Sequence, residues 1–243
     1  MSHPSKALWA SHHPPSGYPA GVLPVPEPIT GRAFFPGGYG LWGASQGKPL
    51  PAFPIGGIMV LGHDFHSESG YAESLRLGGE RDTIPTWRNL LKLFEQVGVN
   101  QERCFFTNFY MGLRAGSATT GTFPGANDPI FVAHCTTFLL HQITAQRPTL
   151  ILTLGTQVPP AIGRLSPELS PWAAGRGLKH LDAVGPVQYG VTFPEVENFR
   201  TTAVALIHPS LRHASLRLRR YHGAVGAEAE LTMLRKGLAA SAG

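Results

Sequence analysis

Cysteine is scarce in this chain of 243 residues, which carries only Cys104 and Cys135. Two thiols exclude a disulfide framework and a four-cysteine metal or iron-sulfur centre within one chain. Both lie in apolar periodic segments, which predicts buried free thiols. Charge is sparse as well, at 14% of residues, while 29 glycines and 22 prolines point to many loops. Long apolar runs are missing: none approaches the roughly 18 to 20 residues of a membrane span. The amino terminus lacks the basic and then apolar order of a signal peptide. The expectation is a cytoplasmic protein with no membrane partner.

One stretch has no acidic residue at all. Between Glu197 and Glu228 fall Arg200, Arg212, Arg217, Arg219 and Arg220, together with His208, His213 and His222. These five arginines equal the whole formal net charge of +5, so the excess is concentrated in one segment and points to an anionic partner.

The length suits one large α/β domain better than two. Residues 1 to 54 hold eleven of the prolines. The first thirty read as an extended, flexible arm, and 31–243 as a single domain. Phe34, Phe35, Tyr39 and Trp42 make an irregular lead-in. Ile58-Met59-Val60-Leu61 is a short, fully apolar run, the pattern of a strand buried on both faces in a parallel sheet. Cys104 to Thr107, Leu150 to Leu154 and Thr202 to Ile207 repeat that pattern, with a further short strand near Val187 to Val191 inside an irregular excursion over 166–200. Helices are predicted from Pro85 to Gly98, with Trp87, Leu90, Leu91, Phe94 and Val97 inward, and from Asp128-Pro129, with Phe131, Cys135, Phe138, Leu139 and Ile143 inward. A last helix buries Leu231, Leu234 and Leu238. Gly70 to Asp82 reads as a polar loop. Strands alternating with helices give a three-layer α/β/α fold around a four-stranded parallel sheet.

In such a sheet the ligand crevice lies outside the carboxyl ends of the strands. Gly62-His63-Asp64-Phe65-His66 follows the first strand, Asn108 the second, Gly155 the third and His208-Pro209-Ser210 the fourth. Asp64 supplies a carboxylate for activating water or stabilising a cation. Asn108 supplies one donor and one acceptor, suited to the edge of a heterocycle. His208 can donate to charge developing on a leaving group. The arginine-rich segment behind it would hold phosphates. Plainer alternatives stand beside each: a turn or cap role for Asp64, loop backbone partners for Asn108, a packed histidine at His208, a solvated face for the arginines.

Taken in order, Gly62-His63-Asp64-Phe65-His66-Ser67, Pro85-Thr86-Trp87-Arg88-Asn89-Leu90-Leu91, Phe106-Thr107-Asn108, Leu152-Thr153-Leu154-Gly155 and His208-Pro209-Ser210 resemble the motifs of the uracil-DNA glycosylase superfamily. His63 stands where the best-known branch has glutamine, and Phe65-His66 where it has proline and tyrosine. The resemblance implies a monofunctional DNA glycosylase that rotates a deaminated base out of DNA and hydrolyses its N-glycosidic bond. It implies that Asp64 and His208 are catalytic, and that Gly62, His63, Phe65, Tyr71 and Asn108 line the base pocket, with Phe65 or Tyr71 stacking on the base. It further implies that Ser210, Leu211, Arg212, Arg217, Arg219 and Arg220 contact DNA, with Leu211 filling the gap in the base stack. No cofactor or metal is implied, and a monomer is expected. Two alternatives remain: a nucleic-acid-binding protein on the same fold without catalysis, and a metal-dependent hydrolase using His63, Asp64, His66 and His208.

Overall fold

The structure, a computed structural model, describes residues 3–34 and 51–241. Phe35, Tyr39 and Trp42 of the expected lead-in lie outside the described residues. In chain order the elements are α1 (Pro4–Ser11), β1 (Val22–Leu23), β2 (Ile58–Gly62), α2 (Glu68–Arg76), α3 (Pro85–Val97), β3 (Cys104–Asn108), β4 (Leu113–Arg114), α4 (Pro129–Gln146) and β5 (Leu150–Leu154). Then come α5 (Val158–Ile162), α6 (Ser170–Ala173), α7 (Gly177–Val184), β6 (Val187–Val191), β7 (Thr201–Leu206), α8 (Arg212–Ser215), β8 (Arg220–Tyr221), β9 (Ala224–Val225) and α9 (Ala227–Ser241).

Five strands flanked by helices hydrogen-bond in the order β3-β2-β5-β7-β6. Pairing is parallel between β2 and β5 and between β5 and β7, and antiparallel between β6 and β7, so the sheet is mostly parallel. The four-stranded, wholly parallel sheet expected from sequence is thus corrected by one strand. Only the two ends of β6 are buried, and its register slips between Gln188 and Val191. A half-exposed edge strand containing Gly190 lacks the continuous apolar run that marks the others.

Two further expectations change. The expected polar loop from Gly70 to Asp82 is helical as far as Arg76, in α2, and irregular beyond it: the Ser67 hydroxyl accepts from the Gly70 N–H at 3.3 Å, Glu68 stands in the first turn and Arg76 in the last. Caps and charges build this helix, and Tyr71 is its one buried residue, so no apolar stripe announces it. The amino-terminal arm is folded rather than extended. Pro4 opens α1, and Leu8, Val25 and Ile29 are each under 5% exposed. Its β1 pairs antiparallel with β4, Val22 opposite Arg114. Among the described residues no helix is long and apolar enough to cross a membrane.

The chain forms two compact units whose segments interleave in sequence. The first comprises Met1–Ile55, Gly62–Arg81 and Phe105–Gln146, the second Gly56–Leu61, Asp82–Cys104 and Arg147–Gly243. In the first, Phe131, Cys135, Phe138, Leu139 and Ile143 form the buried stripe of α4, as their spacing predicts. In the second, α3 buries Trp87, Leu90, Leu93 and Phe94 and stops at Gly98, whose φ of 71° favours glycine. Leu93 takes the inward place expected for Leu91. The last helix, α9, packs on β7 and β6, and its Met233 and Leu234 are buried. Leu61 lies opposite Thr153, and Thr153 opposite Ala205, so β2, β5 and β7 end at one edge of the sheet. Both cysteines are free and buried, and burial pushes each thiol up to about 12, which removes them from nucleophilic chemistry at neutral pH.

Candidate functional site

In the first unit, the segment after β2 runs beside the segment after β3. The Phe109 N–H donates to the Gly62 carbonyl, Tyr110 to His63 and Arg114 to His66, at 3.0, 3.0 and 3.1 Å. This pairing brings Arg114 to Asp64. Arg114 Nη2 donates to Asp64 Oδ2 at 2.9 Å, and Nε to Oδ1 at 3.3 Å. Asp64 Oδ2 lies 2.8 Å from His63 Nδ1, and Oδ1 accepts the His66 N–H at 3.1 Å. Burial alone would raise the Asp64 carboxyl, but the hydrogen bonds and charges of His63 and Arg114 outweigh it and bring the group down to about 2. Asp64 is therefore ionised across the physiological range, with its side chain 12% exposed.

Arg114 does a second thing. Its guanidinium also donates to the carbonyls of Thr120, Gly121 and Thr122, at 3.0 to 3.3 Å, so the glycine-rich loop folds around it. A buried guanidinium needs this many acceptors, because five donors leave water together. Arg114 is not among the residues expected at the site on sequence grounds. A signal exists: no acidic residue occurs between Glu102 and Asp128, so an arginine set among apolar residues had to find a distant carboxylate.

The other predicted pocket residues of this unit are placed as follows. A Cβ on Gly62 would stand 2.2 Å from Asn108 Oδ1, so the absent side chain is what lets Asn108 pack against the strand end. Asn108 is 2% exposed, and its Nδ2 donates to the Phe34 carbonyl at 2.6 Å. Phe65 and Tyr71 meet edge to face in the core, 5% and 3% exposed, and the Tyr71 hydroxyl donates to the Glu27 carbonyl. Both rings, either of which the resemblance offers as the one that stacks on a base, are buried. His63 keeps 22% of its side chain exposed, and its ring stands edge-on to Tyr110, centroids 5.1 Å apart at 88°. His66 adopts a φ of 88°, a left-handed conformation costly to a residue with a Cβ and held by the bond from its N–H to Asp64. Its ring packs against Gly70.

In the second unit, Gly155 and His208 meet at the strand-end edge. Gly155 has a φ of 84° and donates its N–H to the Leu206 carbonyl, and a Cβ there would lie 3.1 Å from His208 Cβ. His208 Nδ1 lies 2.8 Å from Ser210 Oγ, and the turn closes with the Leu211 N–H on the His208 carbonyl. Two helices fix this turn. From α3, Asn89 Nδ2 donates to the Pro209 carbonyl at 2.8 Å. From α9, the wholly buried Glu230 accepts the Ile207 N–H through Oε1 at 2.8 Å and pairs through Oε2 with Arg212. Glu230 is likewise not among those expected residues, although it stands four residues before Leu234 on the buried face of α9.

The arginine segment divides. Arg219 is fully buried, donating to the Ala205 carbonyl at 2.8 Å and facing Asp182 Oδ1 at 3.2 Å. Arg212 is 14% exposed and committed to Glu230. These two side chains, expected to contact DNA, spend their charge on Glu230 and Asp182 within the unit. Arg217, Arg220, Ser210 and Leu211 are exposed, Leu211 by 57%. Arg220 also lines an open cleft of about 520 Å³ with Asp182, Tyr221 and His222. Among the described residues no group of three or more His, Cys, Asp or Glu side chains is placed to hold a metal ion. No family model matches this chain, and no curated protein matches it.

Proposed function

We propose that this protein is a DNA glycosylase related to the uracil-DNA glycosylases, hydrolysing the N-glycosidic bond of a deaminated base. One observation carries the reading: an ionised, anchored carboxylate, Asp64, beside an imidazole in the segment following a buried strand of a parallel sheet. Glycosyl transfer passes through a cationic sugar and consumes a water, and both need a fixed anion or base at the reacting carbon. Arg114 offsets part of the Asp64 charge, which favours a positioning and water-orienting role over direct stabilisation of the cation. DNA contact falls to Ser210, Leu211, Arg217 and Arg220, the exposed members of their segment.

The test is release of free base from an oligonucleotide with one deoxyuridine, offered single-stranded, opposite guanine and opposite adenine. Cleavage by the native protein that disappears in Asp64→Asn supports the reading; absence of cleavage in all three contexts refutes it. One observation favours a second reading, nucleic-acid binding without hydrolysis: the Asn108 amide that would read the base donates to Phe34 instead. That reading predicts salt-sensitive DNA binding that Asp64→Asn leaves intact.

A further inference from the structure

We infer that His63, rather than Asp64, is the base that takes the proton from the attacking water. The inference rests on the glycosylase reading and names the group that does the proton transfer within it.

The geometry dictates which nitrogen carries the hydrogen. Asp64 is an ionised carboxylate and can only accept, so the 2.8 Å contact from His63 Nδ1 to Asp64 Oδ2 requires a hydrogen on Nδ1. In a neutral imidazole Nε2 is then the basic atom. Three things fix the ring: the carboxylate bond at Nδ1, the edge-on packing against Tyr110, and the backbone bond from the Tyr110 N–H to the His63 carbonyl. Asp64 in turn is held by Arg114 and by the His66 N–H, so its oxygens already accept four hydrogen bonds and are poorly placed to take a proton from water. Nε2 makes no hydrogen bond among the described residues, and the His63 side chain is the most exposed of the three. A carboxylate orienting an imidazole whose far nitrogen faces the reactant is the arrangement that general-base hydrolysis needs.

In the proposed step the water oxygen bonds to C1′ of the deoxyribose as its proton passes to Nε2. The bond from C1′ to the base nitrogen breaks, and its electron pair leaves with the base. The base then takes one proton from solvent, and the imidazolium returns one to solvent. Arg114 is a positioning residue in this scheme, acting on the dyad through Asp64.

Single-turnover release of uracil from the deoxyuridine oligonucleotide tests this with native protein, His63→Ala and His63→Gln. The glutamine keeps an amide donor for Asp64 and has no basic nitrogen, so a merely structural role would survive in it. The inference expects a loss of roughly 100-fold or more in both variants, and partial recovery of His63→Ala, but not of Asp64→Asn, on adding free imidazole. Circular dichroism confirms that the variants are folded. Release by His63→Gln within about threefold of native overturns the inference while leaving the glycosylase reading intact. No release by the native protein in any context overturns both.

Discussion

The guanidinium of Arg114 meets the carboxylate of Asp64 across 50 residues of sequence, through Nη2 to Oδ2 at 2.9 Å and Nε to Oδ1 at 3.3 Å. The two side chains are 5% and 12% exposed, so neither has water to replace the other. Breaking such a pair strands a charge, and this costs far more than the pair contributes against an apolar substitute.

Arg114→Ala should therefore destabilise the protein by about 3 kcal/mol in urea unfolding. Arg114→Lys should recover only part of that, because one ammonium cannot serve Asp64 and the carbonyls of residues 120 to 122 together. A loss under about 1 kcal/mol in the alanine variant would mean that the loop relaxes and water reaches Asp64.

Acid should reveal the same pair. The Asp64 carboxyl lies at about 2 in the folded chain against an ordinary 3.8. The unfolded chain takes up the proton first, so this contribution, about 2 kcal/mol, is present above pH 4 and is lost between about pH 4 and pH 2. Unfolding free energies measured across that window should fall more steeply for the native protein than for Asp64→Asn.

A second acid response sits in the arm. His12 is wholly buried, stacks on Trp9 at 4.2 Å and lies 3.7 Å from the His13 ring, while His134 Nε2 lies 2.9 Å from the His12 carbonyl. Burial is the main reason its pKa drops from 6.5 to about 4, and the neighbouring histidines add to it. Here too the unfolded chain is protonated first, so stability is lost as pH falls from about 6.5 to 4, by up to about 3 kcal/mol. His12→Phe should flatten that part of the curve.

Glu230 clamps the turn that carries His208. Glu230→Gln leaves Arg212 buried without a counter-charge and should cost about 3 kcal/mol. Pairing it with Arg212→Met should recover much of the loss, and a double-mutant cycle measures the coupling. Additive losses would show that the two residues act separately.

In the proposed DNA complex, Arg217→Gln and Arg220→Gln should each lower the slope of log affinity against log salt by up to about 1. Arg219→Gln should instead lower stability, since Arg219 has no exposed surface.

Part of this molecule is legible in one dimension. The apolar runs at Ile58, Cys104, Leu150 and Thr202 are strands, the helices α3 and α4 follow their periodicity, and both thiols are buried and free. Each of these depends on residues near one another in sequence, where period and punctuation carry the signal. The helix α2, built from a cap and charges, and the half-exposed edge strand β6 carry little of it.

The sequence by itself determined where the strands end, and so which residues had a chance to be chemical: Asp64, Asn108, Gly155 and His208. Only the tertiary structure decided what those residues do with their hydrogen bonds. Arg114 on Asp64, Phe34 on Asn108, Glu230 on Arg212 and Asp182 on Arg219 are pairings between 18 and 74 residues apart. No local pattern encodes them. A buried charge or amide takes whichever partner the folded backbone brings within about 3 Å, and that choice exists only once water has been excluded.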